Sequence, residues 1–333
     1  MKIIIPMAGM GKRMRPHTLT IPKPLIRIAG KPIVQRLAEG IVKVAGQEVD
    51  EIAFIIGDFG VEVEKTLIAI AESLGAKGSI YYQSEALGTA HAINCAAESL
   101  QGNVIVAFAD TLFDADFKLD NAKDGIIWTH KVEDPSAFGV VKKDADGVIT
   151  DFVEKPAEFV SDEAIIGIYY FRDGENLQKE LQYLMNHNIV KGGEYQLTDA
   201  LENMKSKGLK FYSGQVDEWL DCGNKDATVY TNNRVLVLSK NENLIADSVK
   251  MSNAQIIEPC YIGEQVVLEN CIIGPHVSLD ANTLIRDSII RNSIIGTDVL
   301  IEGAFIDNSM IGNSVVYTKK ASDLSIGDFS SSK

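Results

Sequence analysis

Short apolar runs alternate with amphipathic stretches over the first two-thirds of the chain. Lys2–Met7 is a β-branched run. Lys31-Pro32 opens a stretch to about Ala45 whose apolar residues recur with helical period, with proline in the first turn. Ile52–Ile56 is again short and apolar, Val61–Leu74 has helical period, Ser79–Gln83 reads as a strand, Thr89–Leu100 as a helix and Val104–Ala109 as a buried strand. This β-α-β-α-β-α-β order predicts an α/β architecture, a mixed and mostly parallel sheet with helices on both faces. Ligands of such sheets bind beyond the carboxyl ends of the strands. The loops after Met7, Gln83 and Ala109 are therefore expected to share one rim.

From about residue 125 short strands dominate (Ile126–His130, Gly139–Lys143, Val148–Glu154, Ala164–Phe171), with helices near Glu175–Asn186 and Gln196–Lys207. We read this as a mixed extension of the same sheet that completes a pocket. A third texture begins near 245. Ile, Val and Leu recur at spacings of five or six, often before glycine, as at Ile262-Gly263, Ile273-Gly274, Ile295-Gly296 and Ile311-Gly312. That period predicts a short left-handed parallel β-helix, whose coils bury their apolar face only by stacking; a β-sandwich of short strands is the alternative. The expected division is 1–240 for a catalytic domain and 241–322 for the repeat, with 323–333 a polar, serine-rich, frayed tail.

Charge sharpens this picture. The chain of 333 residues carries a net −14. Residues 1–40 nevertheless hold eight basic side chains and one acid, which is +7 and leaves 24 − 45 = −21 for the remainder. An acidic body disfavours general nucleic-acid binding, and a small basic segment within it points to a focused site for a compact anion. No apolar run reaches the ~18–20 residues of a membrane span, and the start has no signal-peptide pattern, so a cytoplasmic protein without membrane partners is expected. Cys95, Cys222, Cys260 and Cys271 form no CxxC pair, which argues against a disulfide framework or structural zinc.

The candidate chemistry starts at Ala8-Gly9-Met10-Gly11-Lys12-Arg13, directly after the first strand. Glycines let the backbone approach a phosphate, its free N–H groups can donate, and two cations follow. The segment lacks the spacing of a dinucleotide fingerprint or a P-loop. Lys23 follows within Pro22-Lys23-Pro24-Leu25, where two prolines limit the entropy lost in holding one ammonium against an anion. Together these segments resemble the sugar-1-phosphate nucleotidyltransferases, the nucleotide-sugar pyrophosphorylases, whose signature is G-x-G-x-R followed by a P-K-P-L type segment. Further segments match in order: Gln83 with Leu87-Gly88-Thr89-Ala90, Asp110, Phe138-Gly139-Val140-Val141, Glu154-Lys155-Pro156, Gly167, Glu194 and Trp219-Leu220-Asp221-Cys222-Gly223. Departures are Ala8 for a frequent glycine, Lys12 for threonine, and Phe108-Ala109-Asp110 where Gly-Asp is usual.

The resemblance implies a Rossmann-like catalytic domain and a Mg²⁺-dependent reaction in which an NTP and a sugar-1-phosphate give an NDP-sugar and pyrophosphate. It assigns Arg13 and Lys23 to catalysis, and Ala8, Gly9, Gly11, Gln83, Gly88 and Thr89 to the nucleotide. Gly139, Glu154, Lys155, Gly167 and Glu194 fall to the sugar phosphate, and Asp110 and Asp221 to the metal. dTTP or UTP with glucose-1-phosphate is favoured; mannose-1-phosphate guanylyl transfer and amino-sugar-1-phosphate uridylyl transfer stay open. Two readings of other classes are a non-catalytic sugar-nucleotide-binding regulator, which should have lost a metal aspartate or Arg13, and an acyltransferase centred on the repeat. The repeat offers one histidine, His276, with no evident partner. Its coil faces and strand edges instead favour a homo-oligomer.

Overall fold

The computed structural model describes residues 1–116, 119–239 and 242–320. They form two compact units, Met1–Ile26 with Lys31–Gly223, and Arg27–Gly30 with the chain from Asn224 onward. The boundary expected at 240/241 and the tail 323–333 lie outside the described residues. Compactness divides the chain at Gly223–Asn224, which gives the helix Lys225–Leu238 to the second unit.

In the first unit a nine-stranded mixed sheet is built around Lys2–Pro6. This strand runs parallel to Glu51–Ile56 on one side and to Val104–Ala107 on the other, and Lys77–Tyr82 extends the parallel half. Ile3, Ile4 and Ile5 are wholly buried, as are Ile52 to Ile56, which is why these strands read as unbroken apolar runs rather than alternating ones. The helix Ile33–Ala45 buries one stripe, Ile33, Val34, Leu37, Ala38, Ile41 and Val44, packs against the strand Thr111–Asp114, and ends at Gly46 in the left-handed region (φ 62°). Successive crossovers place neighbours on opposite sides of the first strand. A crevice therefore opens beyond the carboxyl ends of Lys2–Pro6 and Val104–Ala107.

The remainder of the sheet is antiparallel except for Phe211–Gln215, which runs parallel to Gly125–Lys131. Glu163–Phe171 pairs with Val104–Ala107, Gly125–Lys131 and Gly139–Lys143, and Ile149–Glu154 closes a hairpin on the last of these. A separate two-stranded ladder joins Thr111–Asp114 to Glu218–Asp221. The helix expected over Thr89–Leu100 is shorter. An α-helix spans Thr89–Asn94 and a 3₁₀ turn Ala97–Ser99. Ala90, Ile93, Ala96 and Leu100 are all buried. A spacing of three to four puts these side chains on one face under either bonding pattern, so periodicity alone could not separate them.

The second unit contains the β-helix. Its strands form three sheets, and every pairing among the described residues there is parallel, which excludes the sandwich alternative. One coil takes 17 residues from Lys250 to Val267 and 16 from Leu284 to Leu300. Inside, Ile262, Leu268, Ile273, Leu279, Ile285, Ile290, Ile295 and Ile301 stack as one apolar column. The corners turn at residues with positive φ, chiefly Asn and Asp (Asn253, Asn270, Asn282, Asp287, Asn292, Asp298), whose short polar side chains tolerate that conformation. Helix Lys225–Leu238 and the segment Arg27–Gly30 belong to this unit. Asn232 Oδ1 accepts the Ala29 N–H at 3.0 Å and the Ser278 hydroxyl at 2.7 Å, and Arg27 Nε lies 3.2 Å from Asp280 Oδ1.

Candidate active site

The crevice of the first unit contains a cavity of about 610 Å³. Its wall takes Met7 to Arg13 from the loop after the first strand, Gln83 from the loop after Lys77–Tyr82, and Ala109 and Asp110 from the loop after Val104–Ala107. The three loops expected to share a rim thus line one space, joined by Lys23, Gly88, Thr89, Glu194 and Gly223.

The glycine loop is built to expose its backbone. Gly11 takes a left-handed conformation (φ 57°), and a Cβ there would meet Lys23 Cβ at 2.9 Å. Thr18 Oγ1 donates to the Gly11 carbonyl at 2.8 Å and fixes that turn. Among the described residues no backbone carbonyl accepts the N–H groups of Gly9, Met10, Gly11, Lys12 or Arg13. A run of donors without acceptors, followed by cations, is an anion-binding surface.

Opposite charges are concentrated beside it. Lys23 is buried, and its Nζ lies 3.1 Å from Asp110 Oδ2, whose side chain stays about half exposed. Asp221 arrives by the short ladder: Asp221 pairs with Thr111, and the Cys222 N–H donates to the Asp110 carbonyl at 3.0 Å. Burial pushes the Asp221 carboxyl above its ordinary range and the Asp110 charge adds to this, while Lys23, the Gly223 N–H and Arg13 pull the other way. The Gly223 N–H donates to Asp221 Oδ1 at 2.9 Å, and a Cβ on Gly223 would sit 3.2 Å from Arg13 Nη2. Arg13, Lys23, Asp110 and Asp221 therefore form one electrostatic cluster. Among the described residues no group of three or more acidic, His or Cys side chains gathers at a common point. Two carboxylates brought within electrostatic reach of each other beside an anion-binding loop suit Mg²⁺, which usually takes one or two from protein and the rest from phosphate and water.

A second cavity, about 230 Å³, is lined by Phe138, Gly139, Glu154, Gly167, Tyr169, Gln196 and Thr198 and shares Thr89 and Phe108 with the first. Gly139 faces Glu154 across the hairpin, and a Cβ on it would meet Glu154 Oε2 at 2.9 Å. Gly167 (φ 86°) lies where the ladder with Gly125–Lys131 loses register between Ile165 and Tyr169, and its carbonyl accepts the Phe108 N–H. The bulge opens the wall there. Burial, with the Glu154 charge adding, raises the Tyr169 phenol well above its usual range, so it stays a neutral hydroxyl.

Of the residues singled out in the sequence, Ala8, Gly9, Gly11, Arg13, Lys23, Gln83, Gly88, Thr89, Asp110 and Glu194 line the first cavity, and Gly139, Glu154 and Gly167 the second. Glu194, expected with the sugar phosphate, thus lines the other cavity. Lys155 lines neither. It has positive φ (44°) and is largely exposed, with Nζ 4.0 Å from Glu154 Oε1. Thr18, Phe108, Tyr169, Gln196, Thr198 and Gly223 were missed. Each lies near a residue already singled out: Gly223 and Phe108 fall in the segments quoted for Asp221 and Asp110, Tyr169 lies two residues after Gly167, Gln196 and Thr198 follow Glu194 closely, and Thr18 follows Arg15-Pro16-His17 within the basic stretch.

Comparison with known proteins gives the family. Residues 2–237 match the family model described as nucleotidyl transferase, and the chain belongs to that family. A glucose-1-phosphate thymidylyltransferase of Streptomyces antibioticus is 27% identical over 86% of this chain and 85% of its own length. The mannose-1-phosphate guanylyltransferase catalytic subunit beta of Drosophila pseudoobscura pseudoobscura is 36% identical over 51% of this chain, which spans 47% of that relative. Among solved structures, UDP-glucose pyrophosphorylase complexed with UDP-glucose is 25% identical, with TM-score 0.58 over 72% of this chain and 99% of the other. No helix among the described residues is long and apolar enough to cross a membrane.

Proposed function

We propose that the chain forms an NDP-sugar and pyrophosphate from an NTP and a sugar-1-phosphate. One observation carries the reading: Arg13, Lys23 and Asp110 line a cavity of nucleotide size, close to Asp221, and that cavity shares Thr89 and Phe108 with a smaller pocket lined by Glu154 and Gly139. In the reaction an oxygen of the sugar phosphate forms a bond to the α-phosphorus, and the bond from that phosphorus to the bridging oxygen of pyrophosphate breaks. The nucleophile is already an anion, so no base is needed. The obstacle is repulsion, several kcal/mol for like charges a few ångströms apart at an effective dielectric of about 20. Fixed cations and positioning must offset it.

Arg13 and the N–H groups of the glycine loop hold the triphosphate and neutralise the departing pyrophosphate. Lys23 carries its buried charge to the phosphates near the reacting centre. Gln83 and Gly88 take the base, and Gly139, Glu154 and Gly167 take the sugar. Lys155 fixes the sugar phosphate, which from its exposed position requires it to swing inward. Glu194, on the nucleotide cavity, acts at the border of the two substrates. Asp110 and Asp221 would hold Mg²⁺, which supplies charge compensation when bound.

Glucose-1-phosphate with dTTP or UTP is the favoured pair, supported by the thymidylyltransferase relative that matches over most of its length. Mannose-1-phosphate with GTP is the second reading, favoured by the higher identity over half of the chain. A pyrophosphate-release assay over triphosphates and sugar-1-phosphates decides between them. Arg13→Ala or Asp110→Asn should cut turnover by on the order of 10²-fold or more; near-normal turnover in either would overturn the assigned roles.

A further inference from the structure

We propose that His91 is a positioning residue that sets which bases the nucleotide cavity accepts. The inference rests on the nucleotidyl-transfer reading and concerns the same cavity. Gln83 lines it, anchored at its backbone by donation of its N–H to the Ile56 carbonyl at 2.9 Å. Its side-chain nitrogen Nε2 has two neighbours, the Gly88 carbonyl at 3.3 Å and His91 Nδ1 at 3.1 Å. A carbonyl can only accept, so the amide end facing Gly88 must be the NH₂. That group has a second hydrogen, and His91 Nδ1 takes it, which leaves the imidazole proton on Nε2.

Both amide donors are then used within the protein. The carbonyl oxygen Oε1 is the group left for a ligand, and it accepts only. An acceptor at this place suits a base with a ring N–H, as in uracil and thymine (N3–H) or guanine (N1–H). Cytosine N3 and adenine N1 are acceptors and would set lone pair against lone pair. The Gly88 contact alone is long and holds the amide weakly. Without His91 the amide can rotate by half a turn and offer its NH₂ instead. His91 touches no substrate in this scheme and acts through Gln83, from the first turn of helix Thr89–Asn94.

The test compares UTP with CTP and GTP with ATP in the pyrophosphate-release assay, using wild type, His91→Leu and His91→Asn. In whichever pair is active, wild type should favour the ring-N–H member by roughly 10²-fold in kcat/KM, because the wrong base leaves the half-buried Gln83 acceptor covered and unpaired. His91→Leu should bring that ratio to within about fivefold, mostly through KM and with little change in kcat for the preferred triphosphate. His91→Asn keeps an acceptor near the Nδ1 position and should keep the ratio. Equal use of UTP and CTP by wild type would overturn the inference without any variant, as would an unchanged ratio in folded His91→Leu. Absence of pyrophosphate release from every triphosphate would instead overturn the nucleotidyl-transfer reading.

Discussion

Gly88 (φ 112°) shows how one residue carries two constraints. A Cβ on it would lie 2.5 Å from the Tyr195 carbonyl oxygen and 2.7 Å from the Tyr195 nitrogen. The Ala90 N–H donates to that carbonyl at 3.0 Å, the Tyr195 N–H to the Leu87 carbonyl at 2.8 Å, and the Leu197 N–H to Thr89 Oγ1 at 3.0 Å. The backbone around Gly88 is thus clasped to 195–197, and the clasp reaches both cavities through Gly88, Thr89, Gln196 and Leu197. Gly88→Ala combines left-handed strain with a backbone overlap that no rotamer relieves, which costs about 1–3 kcal/mol. We expect KM for both substrates to rise roughly tenfold and Tm to fall; a change in the triphosphate KM alone would mean the clasp does not couple the cavities. In the sequence Gly88 stood out because the resemblance assigns its segment to the nucleotide. Tyr195 as its second reason was not legible, since no local pattern announces a partner so far along the chain. Lys155 was quoted from its motif, but its positive φ just after the strand Ile149–Glu154 and its exposure outside both cavities carry no local sequence signal.

Whole elements were easier to read where burial is uniform. The central parallel strands and the helix Ile33–Ala45 follow from apolar periodicity. The ladder Thr111–Asp114 with Glu218–Asp221 does not, because two four-residue strands of mixed polarity carry no period. It is nonetheless the device that brings Asp221 to Asp110. The central strands also hide one acid. Glu51 is 8% exposed; Ser79 and Ser99 donate to its Oε1 at 2.6 and 2.9 Å, and Lys2 Nζ lies 3.2 Å from Oε2. Burial alone would raise this carboxyl, but the hydrogen bonds from Ser79, Ser99 and Lys2 and the Lys2 charge outweigh it, so it lies below its ordinary 4.5. A depressed folded-state value means a contribution present above 4.5 and lost as pH falls through the lowered value. Glu51→Gln should therefore cost about 1–3 kcal/mol at pH 7. The gap to wild type should narrow below the ordinary value. Thermal melts of both proteins across that range check it, and a gap that stays constant into acid would mean that Glu51 does not titrate with folding.

At the scale of the whole molecule, the chain leaves the first unit after Ile26, spends Arg27–Gly30 in the second and returns at Lys31. The repeat was legible from its spacing, but nothing in the pattern near residue 27 marks this excursion; Ile28 and Ala29 look like any short apolar run. Their burial comes from the second unit, where the Ala29 N–H is held by Asn232 and Tyr261 packs so closely on Gly30 that a Cβ there would meet its ring at 2.2 Å. Lys23 lies only four residues before Arg27, so the chain joins the Lys23 segment directly to the second unit. Asn232 is the joint to test, because it is wholly buried and accepts from both the Arg27–Gly30 segment and the β-helix. Asn232→Ala leaves the Ala29 N–H and the Ser278 hydroxyl without that acceptor, a loss of about 2–4 kcal/mol for two buried donors. Calorimetry of the full chain should give a lower Tm for the variant, and the loss of nucleotidyl transfer on heating should track the melting of the second unit. Activity that persists above the temperature at which the β-strand circular dichroism of the repeat has gone would show that Arg27–Gly30 is only a passive tether.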